Sequence, residues 1–265
     1  MDDRPIGIFD SGIGGLTVLK EIKKILKSEN LIYYGDTARV PYGPRPASEI
    51  LQFSIEGAKF LVKKNIKALV LACNTMTAIS YEYLKDMLDI PIIGVIDSGV
   101  RAVLKEDGIS SLGIIATSAT VDSKVYQKKI LRANPSIQIK SKACPMFVSI
   151  VEEGWADTDI ARLIIEKYLV EEEDFRKMDG LVLACTHFPV LKNTIISVLG
   201  EKIKIIDPAE ETAKELKVLL KDRDLISPNK DEATYSFYVS DKAEKFRLVA
   251  SKITQVDKVS EVQFI

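Results

Sequence analysis

The 265-residue sequence has few of the residues that most often carry chemistry: three cysteines, one histidine and one tryptophan. Three thiols are too few, and odd in number, for a disulfide framework, so each must be explained by packing, metal ligation or reactivity. No CxxC or HExxH pair is present, which argues against a zinc site and against a dithiol redox turn. Neither sign of charge is in excess. The 37 Lys and Arg face 38 Asp and Glu for a net charge of −1, so no global basic field exists to hold a phosphate backbone. No uncharged run approaches the ~18 residues of a membrane span, and the acidic opening leads directly into a short apolar stretch. The expectation is a cytoplasmic protein without nucleic-acid or membrane partners. No Pro/Gly/Ser-rich linker or low-complexity tract divides the chain.

What is present is a composition for packing, 46% apolar and 28% charged. At about 150 residues per domain the length fits one large or two small domains. Short apolar runs at Ile6–Phe9, Leu31–Tyr34, Ala68–Ala72, Ile92–Ile96, Leu112–Ala116, Gly180–Ala184 and Lys204–Ile206 read as buried strands. Amphipathic stretches such as Leu16–Lys27 lie between them. This alternation implies an α/β fold of parallel sheets wrapped by helices, whose ligands gather at the carboxyl ends of the strands.

One of these strands is echoed later in the chain. Ala68-Leu-Val-Leu-Ala-Cys73-Asn-Thr75 is answered by Gly180-Leu-Val-Leu-Ala-Cys185-Thr-His187, and more weakly Gly7-Ile-Phe-Asp-Ser11 by Gly113-Ile-Ile-Ala-Thr117. A cysteine twice at the same strand end implies two related α/β units. The spacing assigns residues 97–207 to the second unit and 1–96 plus 208–265 to the first, with a pseudo-twofold axis and an active site in the cleft between them.

Cys73 and Cys185 each precede a helix N-terminus, which can lower a thiol's pKa. Cys144, before Pro145 and without an echo, reads as structural. His187, the sole histidine, shares a loop with Cys185 and titrates near neutrality. Asp10 heads Asp10-Ser11-Gly12-Ile13-Gly14-Gly15, where closely spaced glycines suggest near approach of backbone to a bound group and N–H donors for an anion. The turn does not match a dinucleotide fingerprint, because Thr17 stands where the third glycine belongs. The acidic run Glu171–Asp174 reads as a solvated helix end.

Two strand-end thiols facing one cleft suit the inversion of a carbon stereocentre: one removes a proton from one face, the other delivers one to the opposite face. Asp10 and His187 would assist as acid–base partners, and loop hydroxyls at Ser11, Thr75, Thr117 and Thr186 would help stabilise the carbanion.

Asp10-Ser-Gly-Ile-Gly-Gly15, Tyr34-Gly-Asp-Thr-Ala-Arg-Val-Pro-Tyr-Gly43, Ala72-Cys-Asn-Thr75 and Ala184-Cys-Thr-His187, taken in order, resemble the glutamate racemase family over nearly the whole chain. The resemblance implies interconversion of L- and D-glutamate without pyridoxal phosphate or metal, supplying D-glutamate for peptidoglycan. It implies Cys73 as the base for D-glutamate and Cys185 as the base for L-glutamate, assisted by Asp10 and His187. It further implies substrate contacts from Asp10-Ser11, Pro41-Tyr42-Gly43, Asn74-Thr75, Thr117, Thr120 and Thr186-His187, a catalytic glutamate at Glu152 beside Glu153, and a homodimer among the assemblies relatives adopt. An aspartate or hydantoin racemase, or a two-lobed amino-acid binding protein, are the competing readings.

Overall fold

A computed structural model describes residues 2–171, 175–228, 233–254 and 259–261. The Glu171–Asp174 run is thereby cut after Glu171, which is exposed; its other three residues lie outside the described ones. Among the described residues ten strands run in chain order: β1 (Ile6–Asp10), β2 (Leu31–Gly35), β3 (Ala68–Leu71), β4 (Ile92–Gly94), β5 (Ser111–Ala116), β6 (Gln138–Ala143), β7 (Gly180–Ala184), β8 (Lys204–Ile206), β9 (Tyr235–Val239) and β10 (Val259–Glu261). All pairings among them are parallel, and they form two sheets. One has the order β10-β9-β2-β1-β3-β4, the other β6-β5-β7-β8. Matching β1 to β5, β2 to β6, β3 to β7 and β4 to β8 makes β2-β1-β3-β4 and β6-β5-β7-β8 the same order. Cys73 and Cys185 therefore follow equivalent strands.

The central strands are covered by helices on both faces, which is why β1, β3 and β7 are buried at every residue and read as unbroken apolar runs. The helix Leu16–Ile25 buries Leu16, Val18, Leu19 and Ile22 on one stripe and places Lys23 and Lys24 in its last turn, where they complement the helix dipole. The run Ile92–Ile96 is shorter as a strand than its composition suggests. Extension stops at Gly94, and Val95 and Ile96 begin the helix Val95–Lys105, which buries them together with Val100 and Val103 at helical spacing.

Three strands are absent from the apolar runs of the sequence. Strand β6, Gln-Ile-Lys-Ser-Lys-Ala, pairs only with β5, and its lysines are what an edge strand carries against further pairing. Strands β9 and β10 belong to the C-terminal segment, which returns to the first sheet and pairs β9 with β2 from Leu31↔Tyr235 to Gly35↔Val239.

Candidate active site

The Cys73 and Cys185 loops and the Asp10 turn meet at the carboxyl ends of β1, β3 and β7. Ser11, Tyr42, Gly43, Cys73, Asn74 and Thr75 line a chamber from the first sheet's side, and Thr117, Cys185, Thr186 and His187 line it from the second's. Pro41 and Val148 complete the wall. Val148 was not singled out by sequence, because within the apolar helix Pro145–Glu152 it looks like any core residue. The free space, about 10 Å³, admits at most one water molecule, so the cleft is closed.

Several hydrogen bonds across the cleft hold it shut. Thr186 Oγ1 donates to Asp10 Oδ1 at 3.1 Å, and the Ile13 N–H to Glu152 Oε1 at 3.3 Å. Thr75 Oγ1 lies 2.8 Å from Thr117 Oγ1 and 3.3 Å from Thr120 Oγ1, a cluster of three hydroxyls. Tyr126 donates to Asn74 Oδ1 at 2.7 Å, and the Ala119 N–H to the Gly43 carbonyl at 3.3 Å. The glycines make this approach possible: a Cβ on Gly14 would stand 2.6 Å from His187 Nδ1, and one on Gly43 2.7 Å from Thr117 Cβ. Two N–H donors of the Asp10–Gly15 turn are engaged by the protein's own carboxylates. The Gly12 N–H is taken by Asp10 Oδ2 at 3.0 Å and the Ile13 N–H by Glu152, so what the glycines admit is the protein's own opposite wall.

The two thiols have different surroundings. Cys73 donates to Ser11 Oγ at 3.6 Å and is fully enclosed; burial pushes its thiol up to about 12, with the Asp10 carboxylate adding to the rise. This reverses the lowering expected from the helix N-terminus. Desolvation of a thiolate beside a carboxylate outweighs the Met76 N–H of the first turn. Asp10 is itself raised by complete burial, although the charge of His187 and bonds from Gly12, Gly15 and Thr186 pull it back.

On the other side, Cys185 Sγ lies 3.8 Å from His187 Nδ1, and His187 Nε2 lies 2.7 Å from Glu152 Oε1. Burial works against a charged imidazole, but the hydrogen bonds to Cys185 and Glu152 prevail and raise His187 well above its ordinary value. Glu152, where burial opposes ionisation, is nonetheless held below the usual carboxylate range by His187. Cys185, His187 and Glu152 thus form a relay in which the imidazole is held in its proton-bearing form beside the thiol. The neighbouring Glu153 turns outward and pairs with Lys245 at 2.7 Å. Cys144 is buried at the start of the helix Pro145–Glu152, away from the chamber lining. Among the described residues no group of three or more His, Cys, Asp or Glu is placed to share a metal ion.

The model of the Asp/Glu/Hydantoin racemase family matches residues 6–216. The chain belongs to that family. Within it, a glutamate racemase of Geobacter metallireducens is 43% identical over 262 residues, covering 97% of both chains. The crystal structure of the Francisella tularensis glutamate racemase in complex with D-glutamate superimposes with a TM-score of 0.90 at 39% identity, covering 99% of this chain and 98% of that one. A glutamate racemase isoform from Bacillus anthracis gives a TM-score of 0.92 at 36% identity with the same coverage. The two-sheet architecture of this racemase is therefore shared with its relatives from end to end. No described helix is long and apolar enough to cross a membrane.

Proposed function

We propose that the chain interconverts L- and D-glutamate by a two-thiol mechanism, and that the chamber between the two sheets is where it does so. The observation that carries this reading is the placement of Cys73 and Cys185 at equivalent strand ends on opposite walls of one chamber, each with its own acid–base neighbour. A binding protein has no use for that pair. Full-length similarity to glutamate racemases favours glutamate over aspartate or a hydantoin.

In the L-to-D direction the Cys185 thiolate removes the Cα proton and the Cys73 thiol delivers its proton to the opposite face. The enzyme is left with Cys185 protonated and Cys73 as thiolate; proton exchange through His187 and Asp10 restores the starting state. Because burial beside Asp10 disfavours a Cys73 thiolate, Cys73 rests as the acid. The substrate carboxylates are met by the Tyr42 and Gly43 N–H groups and by the first N–H groups of the helix Asn74–Met87, which begins at the chamber wall. Ser11, Thr117, Thr120 and Thr186 supply hydroxyls. No pyridoxal phosphate or metal enters this scheme.

Admitting glutamate requires the two walls to part, which exchanges the cross-cleft hydrogen bonds for bonds to substrate. We assign residues 97–207 to one moving unit and 1–96 with 208–265 to the other, the joint falling at the start of the helix Val95–Lys105. Cytoplasmic supply of D-glutamate to peptidoglycan, and a homodimeric assembly, complete the proposal; light scattering tests the latter.

The deciding experiment follows circular dichroism and α-deuterium uptake from D₂O for wild type, Cys73→Ser and Cys185→Ser. Enantiomers have equal free energy, so kcat/KM must fall equally in both directions for any variant, here by about 10²-fold or more. The asymmetry appears in exchange: Cys73→Ser should exchange the α-proton of L-glutamate without inverting it, and Cys185→Ser that of D-glutamate. Turnover unaffected by either substitution would refute the mechanism.

A further inference from the structure

We propose that Ser240 is a positioning residue for the substrate loop Pro41–Gly43, acting through Asp36, so that the C-terminal segment beyond residue 216, where the family match ends, sets how tightly substrate is held. The proposal rests on the glutamate reading above.

The side chain of Tyr42 is turned away from the chamber. Its hydroxyl donates to Asp36 Oδ2 at 2.5 Å, and its ring packs on Phe53 with centroids 5.7 Å apart. What Tyr42 and Gly43 can offer a ligand is therefore backbone. Their carbonyls accept from the Arg45 and Ala119 N–H groups, whereas among the described residues their own N–H groups have no acceptor. A pair of free donors at the wall of a chamber suits a carboxylate, and the strength of such bonds falls steeply with displacement.

Their position depends on Asp36, which is wholly buried. Oδ2 receives Tyr42 and, at 2.7 Å, Arg39 Nε; Oδ1 receives Ser240 Oγ at 2.7 Å and, at a longer 3.4 Å, the Tyr34 hydroxyl, so Ser240 is its closest donor. Ser240 follows β9 and is fixed on its own account, because its N–H donates to the Gly35 carbonyl at 3.2 Å and its Oγ accepts the Ala38 N–H at 2.9 Å. The adjacent Asp241 and Thr37 are joined twice, the Asp241 N–H donating to Thr37 Oγ1 at 3.0 Å and Thr37 Oγ1 donating to the Asp241 carbonyl. The root of the loop is thus clasped by the C-terminal segment. The thiols stand on the ends of β3 and β7, outside this clasp, so loosening it should weaken binding and spare the chemical step.

The test compares wild type, Ser240→Ala, which loses both donor and acceptor, and Ser240→Thr, which keeps the hydroxyl. Steady-state racemisation of both enantiomers, D-glutamate binding by calorimetry, and iodoacetamide labelling of the two thiols are measured. The expected result for Ser240→Ala is a KM raised about 5- to 30-fold, kcat within about 3-fold of wild type, and unchanged labelling, with Ser240→Thr restoring KM. An unchanged KM, a kcat that falls as far as KM rises, or a loss of folded protein whose remaining fraction keeps the wild-type KM would each overturn the proposal alone. Wild type that neither binds nor turns over glutamate removes the functional reading, and the proposal with it.

Discussion

Replacing Glu152 by Gln keeps the shape of the side chain and removes its charge, and the consequence can be followed at a single atom pair. His187 is the only histidine in the chain, so in untagged protein one imidazole signal reports it without assignment. The His187 Nε2–Glu152 Oε1 contact is 2.7 Å and His187 is 2% exposed. A hydrogen bond to a charged partner is worth about 1.5–3 kcal/mol and a neutral one about 0.5–1.5. The difference, about 1–1.5 kcal/mol, corresponds to about one pKa unit. By NMR titration the wild-type imidazole should still be protonated well above 6.5, and in Glu152→Gln its midpoint should fall by about one unit or more. The pair also shapes stability. His187 is raised above its ordinary 6.5, so its contribution is complete below that pH and is lost as pH rises through the raised value. Glu152 is lowered from 4.5, so its contribution is complete above that pH and is lost as pH falls through the lowered value. Denaturant midpoints of wild type and variant should therefore differ most between 4.5 and 6.5 and converge on either side. A wild-type His187 titrating at or below 6.5, or a midpoint untouched by the substitution, would refute the relay.

With its thiol near 12, Cys73 at pH 8 carries a thiolate fraction of about 10⁻⁴, so iodoacetamide should label its peptide at least 10³-fold more slowly than free cysteine, measured by mass spectrometry; labelling as fast as free cysteine would overturn the assigned resting state. Gly43→Ala places a Cβ 2.7 Å from Thr117 Cβ and should hold the walls apart, raising KM about tenfold or more with an unchanged far-UV spectrum. Lys67→Met should leave Glu29, its 2.5 Å partner, as a buried lone charge and cost about 3–5 kcal/mol in urea unfolding, while activity per folded molecule stays at wild type. A loss below about 1 kcal/mol would mean that water reaches Glu29.

Much of the site was legible because parallel-sheet enzymes gather chemistry at strand ends, and Asp10, Cys73 and Cys185 stand at or just beyond the ends of β1, β3 and β7. The repeated Leu-Val-Leu-Ala-Cys also marks β3 and β7 as equivalent strands. What failed was local. Strand β6 carries an edge strand's polar sequence and gives no apolar run. Strand β9, Tyr-Ser-Phe-Tyr-Val, breaks its aromatics with a serine, and its partner β2 lies about 200 residues away, a distance no periodicity reports. The Cys73 thiol is raised and not lowered because burial beside Asp10, which no local sequence pattern reports, outweighs the helix N-terminus that follows it. Glu152 and Glu153 became distinguishable only once one of them met His187 and the other Lys245.

The pairing of β9 with β2 dictates an order of events during synthesis. Strand β2, Leu-Ile-Tyr-Tyr-Gly, emerges early, yet the neighbour that covers its outer edge emerges only with Tyr235–Val239. All four strands of the second sheet, β5 to β8, are complete before then, so that sheet can assemble on the ribosome while the first still presents an apolar, unpaired edge. A chain ending before Tyr235 should accordingly collect in inclusion bodies with its second sheet folded, and β9 with β10 acts as the closing strap of the first sheet.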